Sequence, residues 1–266
     1  MNKNPQMREQ WDNIVKINPF YGIDASPEFE GEEINEQLFW HKGRHEAERF
    51  LKALGLGDTS SSVMVEVGCG LGRMTHYFAE RFAHVYAIDV SAEMIKRAKD
   101  KWKNLTNVEF ILGSGSDLKP IKSNSIDLVF SYLVLQHVLD EKIVLNYIRE
   151  SARVLRCSGT AFLQVRTFTP DKATDNSLLA KIKSRIPETI KKQIKRVLLK
   201  ENDKPVALTR QPASLEEQFR QNCPVWSGCR VNLFDINRVT KSCNLEVVKA
   251  DGLNTQYTYF TFRKRA

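Results

Sequence analysis

The residues best placed to do chemistry start with a glycine cluster, Gly68-Cys69-Gly70-Leu71-Gly72. It follows directly on Val63-Met64-Val65-Glu66-Val67, a short apolar run with strand character. Glycines at such a junction let the backbone approach a ligand closely and close a tight turn. A G-x-G alone is shared by several nucleotide-binding families. The dehydrogenase fingerprint G-x-G-x-x-G would put its third glycine at Arg73, so the pattern here is G-x-G-x-G instead. Five cysteines, an odd number, add no metal or redox site. Cys223 and Cys229 are too far apart for a C-x-x-C pair, and no histidines complete a ligand set. Free thiols in a reducing cytoplasm are the expectation.

The elements that must position this cluster can be read from periodicity. Residues 1–60 read as helical segments, the longest over 37–54 and ended by Gly55 and Gly57. Strands are expected at 63–67, 85–88, 108–111, 126–130 and 160–165. Helices are expected at 73–82, 92–102, from about 134, and at 141–155. This alternation predicts an α/β fold: a doubly wound, mostly parallel sheet with right-handed crossovers. Regularity stops after Val165 and returns with a helix near 234–242 and two strands at 245–248 and 257–262. The expected organisation is a helical lid over 1–60, a ligand-binding core over 61–165, a basic cap insertion over 166–232, and a C-terminal helix and strand pair over 233–266. At 42% hydrophobic and 27% charged residues the composition is that of an ordinary globular chain. It holds no apolar run near the ~18 residues of a membrane span and no apolar secretory segment at the N-terminus.

Several motifs together carry a family resemblance. Glu66-Val67-Gly68-Cys69-Gly70-Leu71-Gly72 resembles the E-x-G-x-G-x-G motif of class I S-adenosylmethionine (SAM)-dependent methyltransferases. Tyr86-Ala87-Ile88-Asp89-Val90-Ser91 resembles that family's second motif, and Gly113-Ser114-Gly115-Ser116-Asp117-Leu118 its acidic loop after the third strand. Residues 127–137 resemble the fourth-strand segment. Residues 154–160 resemble the turn into strand five, without its usual proline and second glycine. The resemblance implies a Rossmann-like methyltransferase fold, seven-stranded, with an antiparallel C-terminal strand. It implies SAM as cofactor and S-adenosylhomocysteine as product. Gly68, Cys69 and Gly70 would lie along the methionine part, with Glu66 orienting the loop. Asp89 would accept both ribose hydroxyls, since a carboxylate takes two donors. Val90 and Met94 would pack on the adenine. Asp117 would accept the adenine amino group beside a backbone donor at Ser116, and Ser131 and Tyr132 would line the sulfonium side. Asn18-Pro19-Phe20-Tyr21 resembles, faintly, the N-P-P-Y motif of amide and base amino-methyltransferases, but it precedes the glycine loop. Residues 11–21 are expected to form part of a lid over the cofactor, with Tyr21 among the cofactor-binding residues.

Methyl transfer from a sulfonium needs alignment and exclusion of water more than acid–base help. A base matters only for an acceptor that must lose a proton, and His137 is the best candidate. His41 and His45 are weaker ones. The net charge is +8, yet residues 166–210 hold twelve Lys/Arg against five Asp/Glu, so +7 sits in that stretch. There Ile186, Ile190, Ile194, Val197 and Leu198 share a helical face opposite Lys191, Lys192, Lys195 and Arg196. Such a helix suits a packed cap, or contact with an anionic membrane surface or acidic substrate. Few aromatics interleave the charges, which disfavours nucleic acid. The expected function is transfer of a methyl group to oxygen or nitrogen of a small-molecule, lipid- or sugar-linked acceptor. The alternatives are an RNA or protein methyltransferase and, less favoured, an NAD-linked oxidoreductase. The expected location is the cytoplasm, with peripheral membrane contact an open extension.

Overall fold

Burial of the apolar runs on both faces of a sheet organises the chain. A computed structural model describes residues 4–31, 33–169 and 228–266. The proposed basic helix, and most of the 166–232 insertion, lie outside the described residues. The strands are β1 Val63–Val67, β2 His84–Asp89, β3 Val108–Leu112, β4 Ile126–Ser131, β5 Leu155–Val165, β6 Thr167–Phe168, β7 Val231–Asn232, β8 Leu245–Asp251 and β9 Thr258–Lys264. The helices are α1 Asn4–Ile17, α2 Pro19–Ile23, α3 Glu36–Leu54, α4 Thr75–Arg81, α5 Ala92–Lys101, α6 Glu141–Val154 and α7 Leu233–Ser242.

Seven of the described strands form one sheet in the order β3-β2-β1-β4-β5-β9-β8. Neighbours run parallel from β3 to β5, and β9 runs antiparallel to both β5 and β8. This is the expected doubly wound sheet with its antiparallel C-terminal strand. The central strands are near-continuous apolar runs because helices cover both faces: Met64, Val65 and Val67 of β1 and Leu128, Val129 and Phe130 of β4 are all buried. The edge strand β8 is mostly exposed and carries Glu246, Lys249 and Asp251. Charges on such an edge discourage pairing with another chain.

The strand order reverses between β1 and β4. That switch point opens a crevice at the carboxyl ends of the strands, walled by the loops after β1 and β4. The N-terminal segment is tied across the neighbouring loops. Arg8 on α1 donates to Val90 O at 3.1 Å and to Gly113 O at 3.0 Å, and Asp12 accepts the Ser91 hydroxyl.

Three expected elements differ in extent. The helix expected at 73–82 starts at Thr75, because the glycine turn runs on through Met74. The helix expected from about 134 is a single 3-10 turn, Leu135–His137, preceded by Leu133 at φ 58° and followed by Asp140, whose carboxylate caps α6 through Lys142 N at 2.9 Å. Strand β5 starts at Leu155 instead of 160. Ser158, at φ 64°, takes the left-handed conformation in the turn where the family's proline and second glycine are missing. No described helix is long and apolar enough to cross a membrane.

Candidate functional site

The glycine loop is folded back on β2 by its own backbone. Gly68 N and Cys69 N both donate to Ile88 O, at 2.7 and 3.1 Å. Gly68 has φ 80° and Gly70 φ 53°, conformations that L side chains rarely adopt. A Cβ at Gly68 would collide with the Val134 side chain, so only glycine lets these two loops close on each other. Gly70 N then donates to Asp89 Oδ2 at 2.9 Å, and Ser91 N donates to Asp89 Oδ1 at 2.9 Å. Asp89 lines the cleft, and its carboxylate has more acceptor sites than the protein's bonds use. Surrounding protein atoms push the Asp89 carboxyl up, against three backbone N–H bonds that lower it. Ser91 caps α5 through Met94 N at 3.2 Å, which leaves Asp89 free of that duty.

The cleft is lined by Glu66, Gly68, Gly70, Asp89, Val90, Met94, Tyr132 and His137 among the residues named from sequence. Met7, Trp11, Ile23, Arg73, Leu133 and Tyr147 join them. Burial raises the Tyr132 and Tyr147 hydroxyls, so both are protonated donors at neutral pH.

Five named residues are placed outside the lining. The Cys69 thiol packs with Ala87, Ile95, Ala98 and Phe110, and its N–H is taken by Ile88, so its side chain cannot meet a ligand here. Ser131 is buried, its hydroxyl donating to Val67 O at 3.2 Å and thereby joining β4 to β1. Tyr21 is buried in the core beside the cleft residues Gly22 and Ile23. Ser116 and Asp117 sit on the loop after β3. There Ser116 O accepts from Asn146 Nδ2 at 2.9 Å, and Asp117 pairs with Lys119 at 3.3 Å. His41 and His45 are exposed on α3 and line neither this cleft nor its neighbour. Asn18 has a local duty: its Oδ1 caps α2 through Phe20 N and Tyr21 N, and its Nδ2 donates to Phe29 O at 2.8 Å. That accounts for Asn18-Pro19-Phe20-Tyr21 without an amide-methylating role.

Glu66 is fully buried beside Thr75, whose hydroxyl donates to it. Burial pushes its carboxyl up to about 8, while the Thr75 bond and the Arg73 charge pull the other way. The folded state therefore holds a proton that the unfolded chain releases near the ordinary value of 4.5. Because the folded state binds more protons across that window, stability falls as pH rises from about 4.5 to about 8. The slope from this one group is at most about 1.4 kcal/mol per pH unit. Glu66→Gln is expected to flatten it, as read by urea denaturation at pH 5.5 and 7.5. Equal slopes for the two proteins would place the Glu66 proton elsewhere.

A second, more polar cavity adjoins the first. The two share Gly22, Ile23, Tyr132, Leu133 and His137, and the second adds Asp24, Glu46, Gln136, Arg166, Tyr257 and Tyr259. A chain of amides sets the ring at their junction. Gln164 Oε1 accepts from Leu133 N, and its Nε2 donates to Gln136 Oε1, both at 2.8 Å. Gln136 is thus left with its Nε2 donor for His137 Nε2, at 3.0 Å. The Nε2 lone pair of His137 faces an amide donor, which assigns the ring proton to Nδ1. Trp11 meets the ring edge-on at 5.5 Å.

Comparison with known proteins agrees with this geometry. The methyltransferase-domain family matches residues 65–163. Phosphoethanolamine N-methyltransferase 1 of Caenorhabditis elegans is 33% identical over 101 residues, covering 38% of this chain and 21% of that one. A ubiquinone biosynthesis O-methyltransferase of Xanthomonas oryzae pv. oryzae is 32% identical over 114 residues, 42% of this chain and 46% of that one. The chain thus spans less than half the length of these curated relatives. Magnesium protoporphyrin IX methyltransferase of Synechocystis PCC 6803, crystallised with S-adenosylhomocysteine, shares the fold over 99% of this chain and 100% of its own, with a TM-score of 0.58 at 15% identity. Residues 65–163 of this chain thus match a methyltransferase domain, on a sheet whose fold is shared with a solved methyltransferase.

Proposed function

We propose that the protein transfers a methyl group from SAM to an oxygen or nitrogen of a small-molecule, lipid- or sugar-linked acceptor, releasing S-adenosylhomocysteine. The observation that carries this reading is the Gly70–Asp89 hydrogen bond at the switch point of the sheet. It fixes a carboxylate with free lone pairs beside a glycine loop that closes without side chains. Asp89 would take the ribose hydroxyls, Val90 and Met94 would cover the base, and Gly68 would let the amino-acid tail pass. SAM supplies the activated methyl group when bound. The Arg8 and Asp12 bonds from α1 would close the adenine side against water, as a lid does. Arg73 stands where a dehydrogenase needs its third glycine, and the antiparallel β9 departs from the nicotinamide-binding strand order, so an NAD-linked activity is disfavoured.

The adjoining polar cavity is the natural seat of the acceptor, because it opens onto Tyr132, Leu133 and His137. The phosphoethanolamine in one relative's name, and the nitrogen and oxygen methylation in the names of the two, support the same class. For a hydroxyl acceptor, His137 would exchange its bond to Gln136 for one to the hydroxyl and take its proton. His137→Ala is then expected to lower turnover by ~10²-fold while leaving cofactor affinity unchanged. Unchanged turnover on a hydroxyl acceptor would return His137 to a structural role. The reading is tested by a radiolabelled-methyl screen over alcohols, amines, lipid-linked sugars, RNA and protein. Labelling confined to RNA or protein would overturn the acceptor class proposed here.

A further inference from the structure

The turn that carries His137 is held more from outside than from within. It is one 3-10 turn, Leu135–His137. His137 N donates to Val134 O at 2.9 Å, and Val138 N reaches Leu135 O at 3.3 Å. So short a turn has little stiffness of its own. Its ties come from two other segments. Gln164 holds the Gln136 side chain by the amide bond described above. The second tie is the chain returning at 228–232, whose strand β7 pairs with β6 through Val231 and Thr167. Val231 N donates to Arg166 O at 2.8 Å, and Cys229 N donates to Val138 O at 2.7 Å. One step before that bond, Gly228 meets the turn with φ 55°. A Cβ added there would overlap Gln136 O and lie 2.7 Å from Gln136 C and 3.0 Å from His137 Cα. These are backbone atoms, which cannot swing aside as the end of a side chain does.

We propose that Gly228 is a positioning residue for His137: its bare Cα lets the returning chain seat the Gln136–His137 peptide, and so sets the ring at the junction of the two cavities. Plain packing would be served by contact anywhere on the turn. Here the contact falls on the peptide that joins the ring's residue to the ring's own amide partner. Any shift of that peptide changes the distance from Gln136 Nε2 to His137 Nε2, now 3.0 Å. The ring then loses the bond that assigns its proton to Nδ1. The consequence for turnover rests on the base role proposed for His137, where a misplacement of about 1 Å can cost ~10²-fold. The state of the ring does not rest on that role.

The test reads the imidazole nitrogens of isotope-labelled histidine by NMR, at a pH where the rings are neutral. The His137 signals are those lost in His137→Gln. The wild type is expected to show a proton on Nδ1 and a bare Nε2. Gly228→Ala adds a Cβ and strains the backbone. Gly228→Asn adds the same Cβ with less strain, because asparagine tolerates the left-handed conformation. Each variant that folds is expected to move the His137 ring toward a mixture of the two tautomers, while the signals of His41, His45, His76 and His84 stay in place. An unchanged His137 ring in either folded variant overturns the proposal, and so does a wild-type ring protonated at Nε2. Shifts spread over all the histidines, or loss of the fold in both variants as read by thermal melting, make Gly228 a packing residue and overturn it too. A wild type that binds no S-adenosylhomocysteine would sink the SAM reading and leave this test as it stands.

Discussion

Asp89→Ala is expected to weaken S-adenosylhomocysteine binding by about 10² to 10³-fold. Two losses combine. The ribose hydroxyls lose a charged acceptor, at ~1.5–3 kcal/mol per bond. Gly70 N and Ser91 N lose the partner that holds them at 2.9 Å, so the glycine loop and the start of α5 are no longer joined. Asp89→Asn keeps one oxygen and is expected to fall between the wild type and Asp89→Ala. Calorimetry on the three proteins reads the series. An Asp89→Ala protein that binds as tightly as the wild type would remove the ribose role and leave Asp89 a loop-bracing residue.

The second large effect is expected at Gly68. At φ 80° an alanine there costs ~1–2 kcal/mol from backbone conformation alone. Its methyl group also occupies the space of the Val134 side chain, which must withdraw and carry the loop after β4 with it. Gly68→Ala is therefore expected to lower the melting temperature and to weaken S-adenosylhomocysteine by at least about tenfold. Gly68→Ala with Val134→Ala relieves the overlap but not the φ strain, so it should recover part of the affinity. If the double variant recovers none, the contact between the two loops is not what closes the cleft.

These two residues were legible in the sequence because their chemistry is local. Asp89 ends a strand, and Gly68 sits between a strand and a helix; the tight turn follows from the glycines, and the role of the carboxylate from the family resemblance. The parallel run of strands β1 to β5 was legible for a similar reason, since strands alternating with helices imply right-handed crossovers in one sheet. Arg73 was not legible. An arginine in a turn reads as exposed, and its burial depends on Gly43, a residue of α3 whose absent side chain has no local signature. The second cavity was not legible either, because Asp24, Glu46, Tyr132 and Tyr259 converge from four separate segments. Cys69 and Ser131 lay inside matching motifs, but the Cys69 thiol packs into the core under β2 and α5, and the Ser131 hydroxyl is spent on Val67 O. The 3-10 turn that carries His137 follows from Leu133 in the left-handed conformation, which a leucine does not announce.

A SAM site in the crevice between β1 and β4 makes a definite demand on ligand binding. Calorimetric titration of the full chain with S-adenosylhomocysteine and with NAD tests it most directly. The expected result is micromolar binding of S-adenosylhomocysteine, about −8 kcal/mol, with no measurable heat from NAD. Tighter binding of NAD than of S-adenosylhomocysteine would contradict it.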